Sequence, residues 1–202
     1  MDNRGRQISG DAIRRAFTRM FWGILLIFLD IRPGGFDILA DPIGYVMIAN
    51  ALEVVLCLHP HFATARTLAK VMALLSLVNV VDPRFLGHGL YSPNCTLFLV
   101  VFAGGIVDLL MVGYLCTGII EVARLAGKHD LARTADVRLK LYVYVLFFGF
   151  ILVQFVRSLK PEVLSAVVAL SVVSIFLATG LMMDLMLKAS DQLGGLGGPS
   201  RE

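Results

Sequence analysis

Charged residues are scarce in this chain, and apolar residues are in large excess. Only 16% of its 202 residues are charged, 57% are hydrophobic, and the mean hydropathy is +0.80. Ordinary soluble domains carry roughly 25% charged residues. A soluble fold of this composition would expose large apolar patches and aggregate. The composition therefore excludes an ordinary soluble domain and predicts an integral membrane protein.

The sequence also lacks the short motifs of common catalytic, nucleotide-binding and zinc sites. It contains no Gly-x-Gly-x-x-Gly, no Walker loop and no His-Glu-x-x-His. Its three cysteines, Cys57, Cys95 and Cys116, lie far apart and form no Cys-x-x-Cys pair, so we interpret them as small apolar residues. We expect no cofactor and no nucleic-acid partner. An enzymatic role is left open, but a non-catalytic protein is favoured.

Apolar runs that are candidates to cross a bilayer recur six times along the chain, and the first of them is short and contains Arg19. A transmembrane helix needs roughly 20 apolar residues to span about 30 Å of hydrocarbon. The runs are continuous, whereas membrane-spanning strands would alternate apolar and polar residues. We therefore predict an all-α fold, a polytopic transmembrane helix bundle of about six membrane-spanning helices. The six segments cover residues 17–31, 38–58, 62–81, 96–123, 139–159 and 161–187.

The apolar runs divide the chain into three regions. Residues 1–16 are expected to form a basic amphipathic N-terminal arm, residues 17–189 the six-helix transmembrane domain, and residues 190–202 a disordered Gly-rich tail. A cleaved signal peptide is the alternative interpretation of the first segment. Between segments four and five, Leu131, Ala135 and Leu139 recur at helical spacing. The fifth helix is therefore expected to begin before its apolar run.

The distribution of basic residues predicts how the segments are oriented. Cytoplasmic loops of membrane proteins carry an excess of lysine and arginine. If the N-terminus and C-terminus are both cytoplasmic, all but four of the 18 basic residues fall on the cytoplasmic side. The four exceptions are Arg32, Arg84, Arg157 and Lys160. We expect a multi-pass protein of the cell (inner) membrane, with the lipid bilayer as its main partner.

Polar side chains inside the apolar segments are the candidate transport or proton site. Asp108 lies near the middle of the fourth segment, where a charge costs roughly 3 kcal/mol. Asn50 and Glu53 are three residues apart in the second segment, so they share one helix face. The alternative for Asp108 is a purely structural role, in which its carboxyl group hydrogen-bonds to Asn79, Gln154 or Glu53 on a neighbouring helix and holds the bundle together.

Small residues in the fourth segment suggest a helix-packing seam. Gly105, Leu109, Gly113 and Thr117 follow one another at a spacing of four. Such a stripe allows another helix to approach closely. We therefore expect a neighbouring helix to pack against this face.

Acidic residues and one histidine between the segments are a weaker candidate for a metal site. Carboxylate and imidazole groups on the predicted outer face could together hold a cation. The residues concerned are Asp37, Asp41, Asp82 and His88. Asp41 has an alternative role, because Asp41 followed by Pro42 is a strong start signal for the second helix.

Residues 37–45 resemble a segment of the form D-x-L-P-D-x-I-G-Y, which occurs in small multi-spanning bacterial membrane proteins. Asp37, Asp41, Gly44 and Tyr45 match that segment, whereas Ala40 stands in place of its proline. The resemblance implies a multi-spanning membrane fold. It implies no particular activity.

Three functions remain open on the residues alone. A small transporter or channel for an ion or small solute predicts that polar groups from several helices meet at mid-depth. A non-catalytic membrane subunit or scaffold, which would pack against a membrane protein partner or a second copy of itself, predicts scattered polar groups and an apolar groove that faces outward. A membrane-embedded enzyme predicts that the acidic residues of the outer face meet.

Overall fold

The computed structural model describes residues 9–29, 40–81, 95–155 and 161–195, and within these ranges it contains α-helices and no strand. The all-α class is therefore confirmed, and the described residues form six helices. The helices are α1 (Gly10–Leu29), α2 (Ala40–Val55), α3 (His61–Val81), α4 (Cys95–Leu125), α5 (His129–Phe155) and α6 (Pro161–Gly194).

The six helices form a closed ring in chain order. Each helix packs mainly against the helix before it and the helix after it, and α6 returns to pack against α1. The connections from α2 to α3 and from α4 to α5 are only a few residues long, which makes these neighbours antiparallel. The same arrangement brings the end of α6 to the start of α1, where the Ser190 hydroxyl donates to the Arg14 carbonyl oxygen at 3.1 Å.

The described basic residues all lie in one half of the ring, which we call the basic half. In this half α1, α3 and α5 begin, and α2, α4 and α6 end. The opposite half, which we call the apolar half, has no lysine or arginine within the described ranges. The residues of the basic half are Arg14, Arg15, Arg19, Arg66, Lys70, Arg124, Lys128, Arg133, Arg138, Lys140 and Lys188.

The tightly packed core also lies in the basic half. Its largest fully buried side chains include Phe17, Phe62, Leu115 and Leu185, which come from four different helices. In the apolar half many large hydrophobic side chains are instead exposed. Examples are Leu74 at 67%, Tyr144 at 69%, Phe147 at 63%, Leu170 at 60% and Val173 at 63%.

Helices α1 and α2 approach each other closely at a pair of glycines. A Cβ atom added to Gly23 would lie 2.8 Å from the Gly44 carbonyl oxygen, and one added to Gly44 would lie 2.7 Å from the Gly23 carbonyl oxygen. Any side chain at either position would therefore force the two backbones apart. This crossing fixes the position of the α2 backbone at Gly44, one residue before Tyr45. The Tyr45 side chain lies at the centre of the ring.

Helix α6 extends further than its apolar run predicts. The tail was expected to begin at residue 190, but α6 continues through Gly194 and both Ser190 and Leu193 are buried. The reason is packing against α1, since a Cβ atom at Gly194 would lie 3.1 Å from the Arg14 Cβ atom. Residues 190–194 thus belong to the bundle and not to a disordered tail.

Two other helix starts differ from the apolar runs. Helix α1 begins at Gly10, so the second part of the expected N-terminal arm, residues 10–16, is continuous with the first helix. Helix α5 begins at His129, which confirms that the fifth helix starts before residue 139. Its first turns carry buried Leu131 and Ala135.

The expected packing seam on α4 is wrong. Added Cβ atoms at Gly105 and Gly113 would meet no atom of the described residues within 4 Å, so no described helix packs closely against these two glycines. The close contact of α4 is made instead by Gly118, where an added Cβ atom would lie 2.8 Å from the Phe62 ring. The spacing of four residues predicted a stripe along α4, but it did not identify Gly118, the glycine against which the Phe62 ring packs.

Two helical stretches in the described part of the chain are long and apolar enough to cross a membrane. They are Phe102–Leu125, with a mean hydropathy of 1.9, and Val173–Gly194, with a mean hydropathy of 1.4. They belong to α4 and α6, two helices of the ring that are not adjacent.

Candidate functional site

Asp108 projects from α4 into the middle of the ring and is contacted from two other helices. The Tyr45 hydroxyl on α2 donates to Asp108 Oδ1 at 3.2 Å. The Tyr142 hydroxyl on α5 donates to Asp108 Oδ2 at 2.6 Å. Both carboxyl oxygens therefore have a hydroxyl partner, and the three residues join three helices at one point.

A cavity of about 410 Å³ adjoins this carboxyl group. Its volume falls within the range of about 300–1,000 Å³ that is typical of small-molecule sites. Helices α1, α2, α4, α5 and α6 contribute to its wall, and the polar side chains on it are Asp108, Tyr45, Tyr142 and Thr179. The apolar side chains on it are Ile24, Ile27, Phe28, Ile48, Met111, Val112, Leu115, Ile175, Phe176 and Met182.

The two tyrosines are positioned by contacts outside the cavity. Tyr45 is buried and directly follows Gly44, so the close crossing of α1 and α2 holds its backbone in place. Tyr142 lies one turn after Arg138 on α5, hence on the same helix face. Arg138 is anchored to α6, because its guanidinium group is paired with Asp184 and donates to the Leu181 carbonyl oxygen at 2.7 Å.

Arg138 is buried, with 9% of its side chain exposed, although the sequence places it among the loop residues of the basic side. Its partner Asp184 is half exposed and also pairs with Lys188 at 3.2 Å. The early start of α5 explains the burial of Arg138, because residues 129–138 are part of a helix that packs against α6.

Asn50 and Glu53 do not join Asp108. They share one face of α2 as their spacing predicts, but that face is exposed, whereas Ile48 and Leu52 point inward. Glu53 instead pairs with Arg66 on α3 at 2.9 Å. The separation of Asn50 and Glu53 along the sequence shows that they share a helix face, but it does not show whether that face points into the ring or away from it.

The remaining polar candidates lie away from the cavity or outside the described residues. Glu121 pairs with Arg124 on the same helix at 3.2 Å. Asp41 lies in the first turn of α2. The other members of the expected cation site, Asp37, Asp82 and His88, lie outside the described residues.

The sequence analysis predicts no role in the site for either tyrosine. In an apolar run a tyrosine resembles an ordinary large hydrophobic residue. Its hydroxyl group indicates a site only when a hydrogen-bond acceptor such as Asp108 is known to lie beside it. Asn79 and Gln154, the partners expected for Asp108, have side chains outside the described set. The available signal was that buried tyrosine hydroxyls normally need a hydrogen-bond partner.

The arrangement offers one ionisable group to a ligand or a proton and little else. The neutral acid can lose its proton because the resulting carboxylate accepts hydrogen bonds from both hydroxyls, and the neutral acid can still accept from at least one hydroxyl. Within the described ranges no three His, Cys, Asp or Glu side chains are close enough to hold a metal ion together.

No protein-family model, no curated protein and no solved structure matches this chain.

Proposed function

We propose that this protein is a small transporter or channel-like membrane protein that binds and releases a proton or a cation at Asp108. The observation that carries the proposal is the position of the Asp108 carboxyl group, which lies on the wall of a 410 Å³ cavity and contacts hydroxyl groups of α2 and α5. A carboxyl group that only joined helices would be enclosed between them. This group also faces a space that a ligand can occupy.

The membrane placement rests on the two halves of the ring. The exposed hydrophobic side chains of the apolar half suit contact with lipid, and the basic half suits the cytoplasmic surface. Besides α4 and α6, which carry the apolar stretches, three helices have 20 or more residues, namely α1, α3 and α5, and α2 has 16. At 1.5 Å per residue α2 is about 24 Å long, somewhat short of the hydrocarbon thickness. We infer six crossings, with both termini in the cytoplasm.

Cysteine labelling tests this orientation. In a variant with Cys57→Ser, Cys95→Ser and Cys116→Ala, a cysteine that replaces exposed His129 should be protected from an impermeant thiol reagent in intact cells. A cysteine that replaces Gly89 should react. We choose position 129 because Gly127 has a φ of +70°, which disfavours any other residue. The reverse labelling pattern would contradict the orientation, and equal labelling would contradict the number of crossings.

A flux measurement on reconstituted protein tests the function. The purified protein is placed in liposomes that contain a pH-sensitive dye, and a pH gradient is imposed with and without a membrane potential. We expect the gradient to decay faster than in vesicles without protein. If protons, sodium and potassium ions and small organic cations all cross at the rate of empty vesicles, the transport proposal is wrong.

Removing the closer hydroxyl group should slow this flux without abolishing it. Hydrogen bonds to charged groups contribute about 1.5–3 kcal/mol, and about 1.4 kcal/mol corresponds to tenfold. Tyr142→Phe should therefore reduce the rate by about tenfold or more, and Tyr45→Phe by less because its contact is longer. Tyr144→Phe is the matched control, since Tyr144 is exposed on the outside of the same helix. Equal rates for Tyr142→Phe and Tyr144→Phe would remove Tyr142 from the site.

A second function, a non-catalytic membrane subunit, is favoured by a different observation. A groove of about 160 Å³ lies between the apolar halves of α5 and α6. Its wall includes the exposed side chains of Tyr144, Phe148 and Leu170. Copurification of a stoichiometric membrane protein in mild detergent, together with a flux equal to that of empty vesicles, would favour the subunit over the transporter.

A further inference from the structure

The cavity next to Asp108 combines one acidic group with a wall that is otherwise mostly apolar. Ten of its side chains are aliphatic, aromatic or thioether groups that offer no hydrogen bond. The polar side chains are one carboxyl group and three hydroxyl groups, those of Tyr45, Tyr142 and Thr179. Two of these hydroxyls already donate to the carboxyl group. The site can therefore neutralise one charge but can hydrogen-bond few further polar groups.

This chemistry excludes several classes of ligand. A bare divalent metal ion needs about six oxygen ligands at short distance, more than the described wall supplies. A sugar or other polyhydroxylated solute would leave its hydroxyl groups without partners, which is costly in an apolar site. An anion would be repelled by an ionised Asp108. What fits is a molecule with one positive charge and a compact apolar body.

We propose that this cavity binds a lipophilic organic cation, such as a substituted ammonium ion, with its charge against Asp108 and its hydrocarbon part against the apolar wall. The inference names the substrate class of the proposed transport site and so rests on that function. Phe28 and Phe176 stand edge to face with ring centroids 4.4 Å apart. The face of such a ring attracts a cation, and both rings can pack against an aromatic group of the ligand.

The bound cation competes with a proton for Asp108. Only the ionised carboxyl group offers a counter-charge, so the cation binds as the proton leaves. Tyr45 of α2 and Tyr142 of α5 are the titratable side chains that contact Asp108. Asp41 on α2 interacts electrostatically with Tyr45, and Cys116 on α4 with Tyr142. Helices α1 and α6 present no titratable side chain to the cavity within the described ranges. On the face of α5 that carries Tyr142, the preceding cation is Arg138, which lies one turn toward the basic half and is already paired with Asp184. Lys140 on α5 is exposed and pairs with Asp136.

Binding of radiolabelled benzyltrimethylammonium to the full-length protein in detergent tests the inference. Neopentylbenzene is the matched neutral competitor because it has the same shape without the charge, and benzenesulfonate is the anionic competitor. We expect unlabelled cation to compete at least about tenfold more strongly than neopentylbenzene, since a desolvated ion pair contributes more than about 1.4 kcal/mol. Benzenesulfonate should not compete. Equal competition by all three compounds would overturn the inference.

Two further measurements assign the binding to Asp108. Asp108→Asn should weaken cation binding by about tenfold or more, whereas Glu121→Gln, which removes a carboxyl group from the same helix outside the cavity, should leave it within about twofold. Wild-type affinity should also rise as the pH is raised, because only the ionised carboxyl group supplies the counter-charge; this measurement needs no variant and so does not depend on variant folding. Affinity that is insensitive to both pH and Asp108→Asn would overturn the inference.

The flux measurement separates this inference from the proposed function. If the cation binds through Asp108 but neither it nor protons cross the vesicle membrane, the inference stands and the transport proposal falls. If protons cross in an Asp108-dependent manner but the cation does not bind, the transport proposal stands and the inference falls.

Discussion

Asp108→Asn should lower the flux of the reconstituted protein to that of empty vesicles. Asparagine has nearly the same shape and can still accept the Tyr45 and Tyr142 hydroxyl hydrogen bonds. It cannot take up a proton or carry a charge. A charged side chain at the middle of a membrane-spanning helix costs roughly 3 kcal/mol. If the ionised carboxyl group lowers the barrier to transport by a similar amount, its removal should reduce the rate by about a hundredfold. Flux is measured as dye response at equal amounts of inserted protein.

Two variants bracket this result. Asp108→Glu keeps an ionisable carboxyl group but displaces it by one methylene, so we expect partial activity. Glu121→Gln removes a carboxyl group that pairs with Arg124 away from the cavity, so we expect activity close to that of the wild type. If Asp108→Asn folds, inserts and works as well as the wild type, Asp108 has only a structural role. The membrane-subunit interpretation would then be preferred.

Asp184→Asn should produce the largest loss of stability among single polar substitutions at the interface of α5 and α6. The substitution leaves the buried Arg138 guanidinium group without its charged partner. Breaking a buried ion pair in this way costs about 3–5 kcal/mol, and we expect about 3 kcal/mol because Asp184 is half exposed. The free energy of unfolding in mixed detergent micelles measures the effect. The loss should also disturb Tyr142, which Arg138 precedes by one turn.

Asp136→Asn is the matched control for this prediction. It removes the same charge from an exposed pair, in which Lys140 lies 2.7 Å from Asp136 one turn away on α5. Exposed pairs on a helix contribute only about 0.3–0.5 kcal/mol. If Asp136→Asn and Asp184→Asn lower the free energy of unfolding equally, Arg138 does not depend on Asp184 for its placement.

The helices were predictable from the sequence because their cause is local. An apolar run of bilayer length predicts a helix wherever it falls, and the six runs agree with the six helices of the described ranges to within a few residues at most ends. The ends differ where tertiary contacts extend the helix. Leu193 lies beyond the last apolar run but is buried against α1, and Leu131 lies before the fifth run but is buried in the core.

The site was predictable only in part. Asp108 stands out because an acid in the middle of an apolar run is costly, a property that depends on one residue and its depth. Its tyrosine partners depend on which faces of α2 and α5 turn inward, and no local pattern decides that. The same limit applies to Glu53, whose face is exposed. Gly44 forms the close contact with α1, and the next residue, Tyr45, forms the contact with Asp108.

The most direct test of the account is whether Asp108 is a reachable, titrating carboxyl group inside the membrane. A hydrophobic carbodiimide reacts with protonated carboxyl groups in apolar surroundings, and mass spectrometry of peptides from treated membranes locates the adduct. We predict an adduct on Asp108, a yield that falls as the pH is raised, and a loss of flux in proportion to the fraction modified. Full modification of Asp108 without loss of flux, or no modification of Asp108 at any pH, would contradict the account.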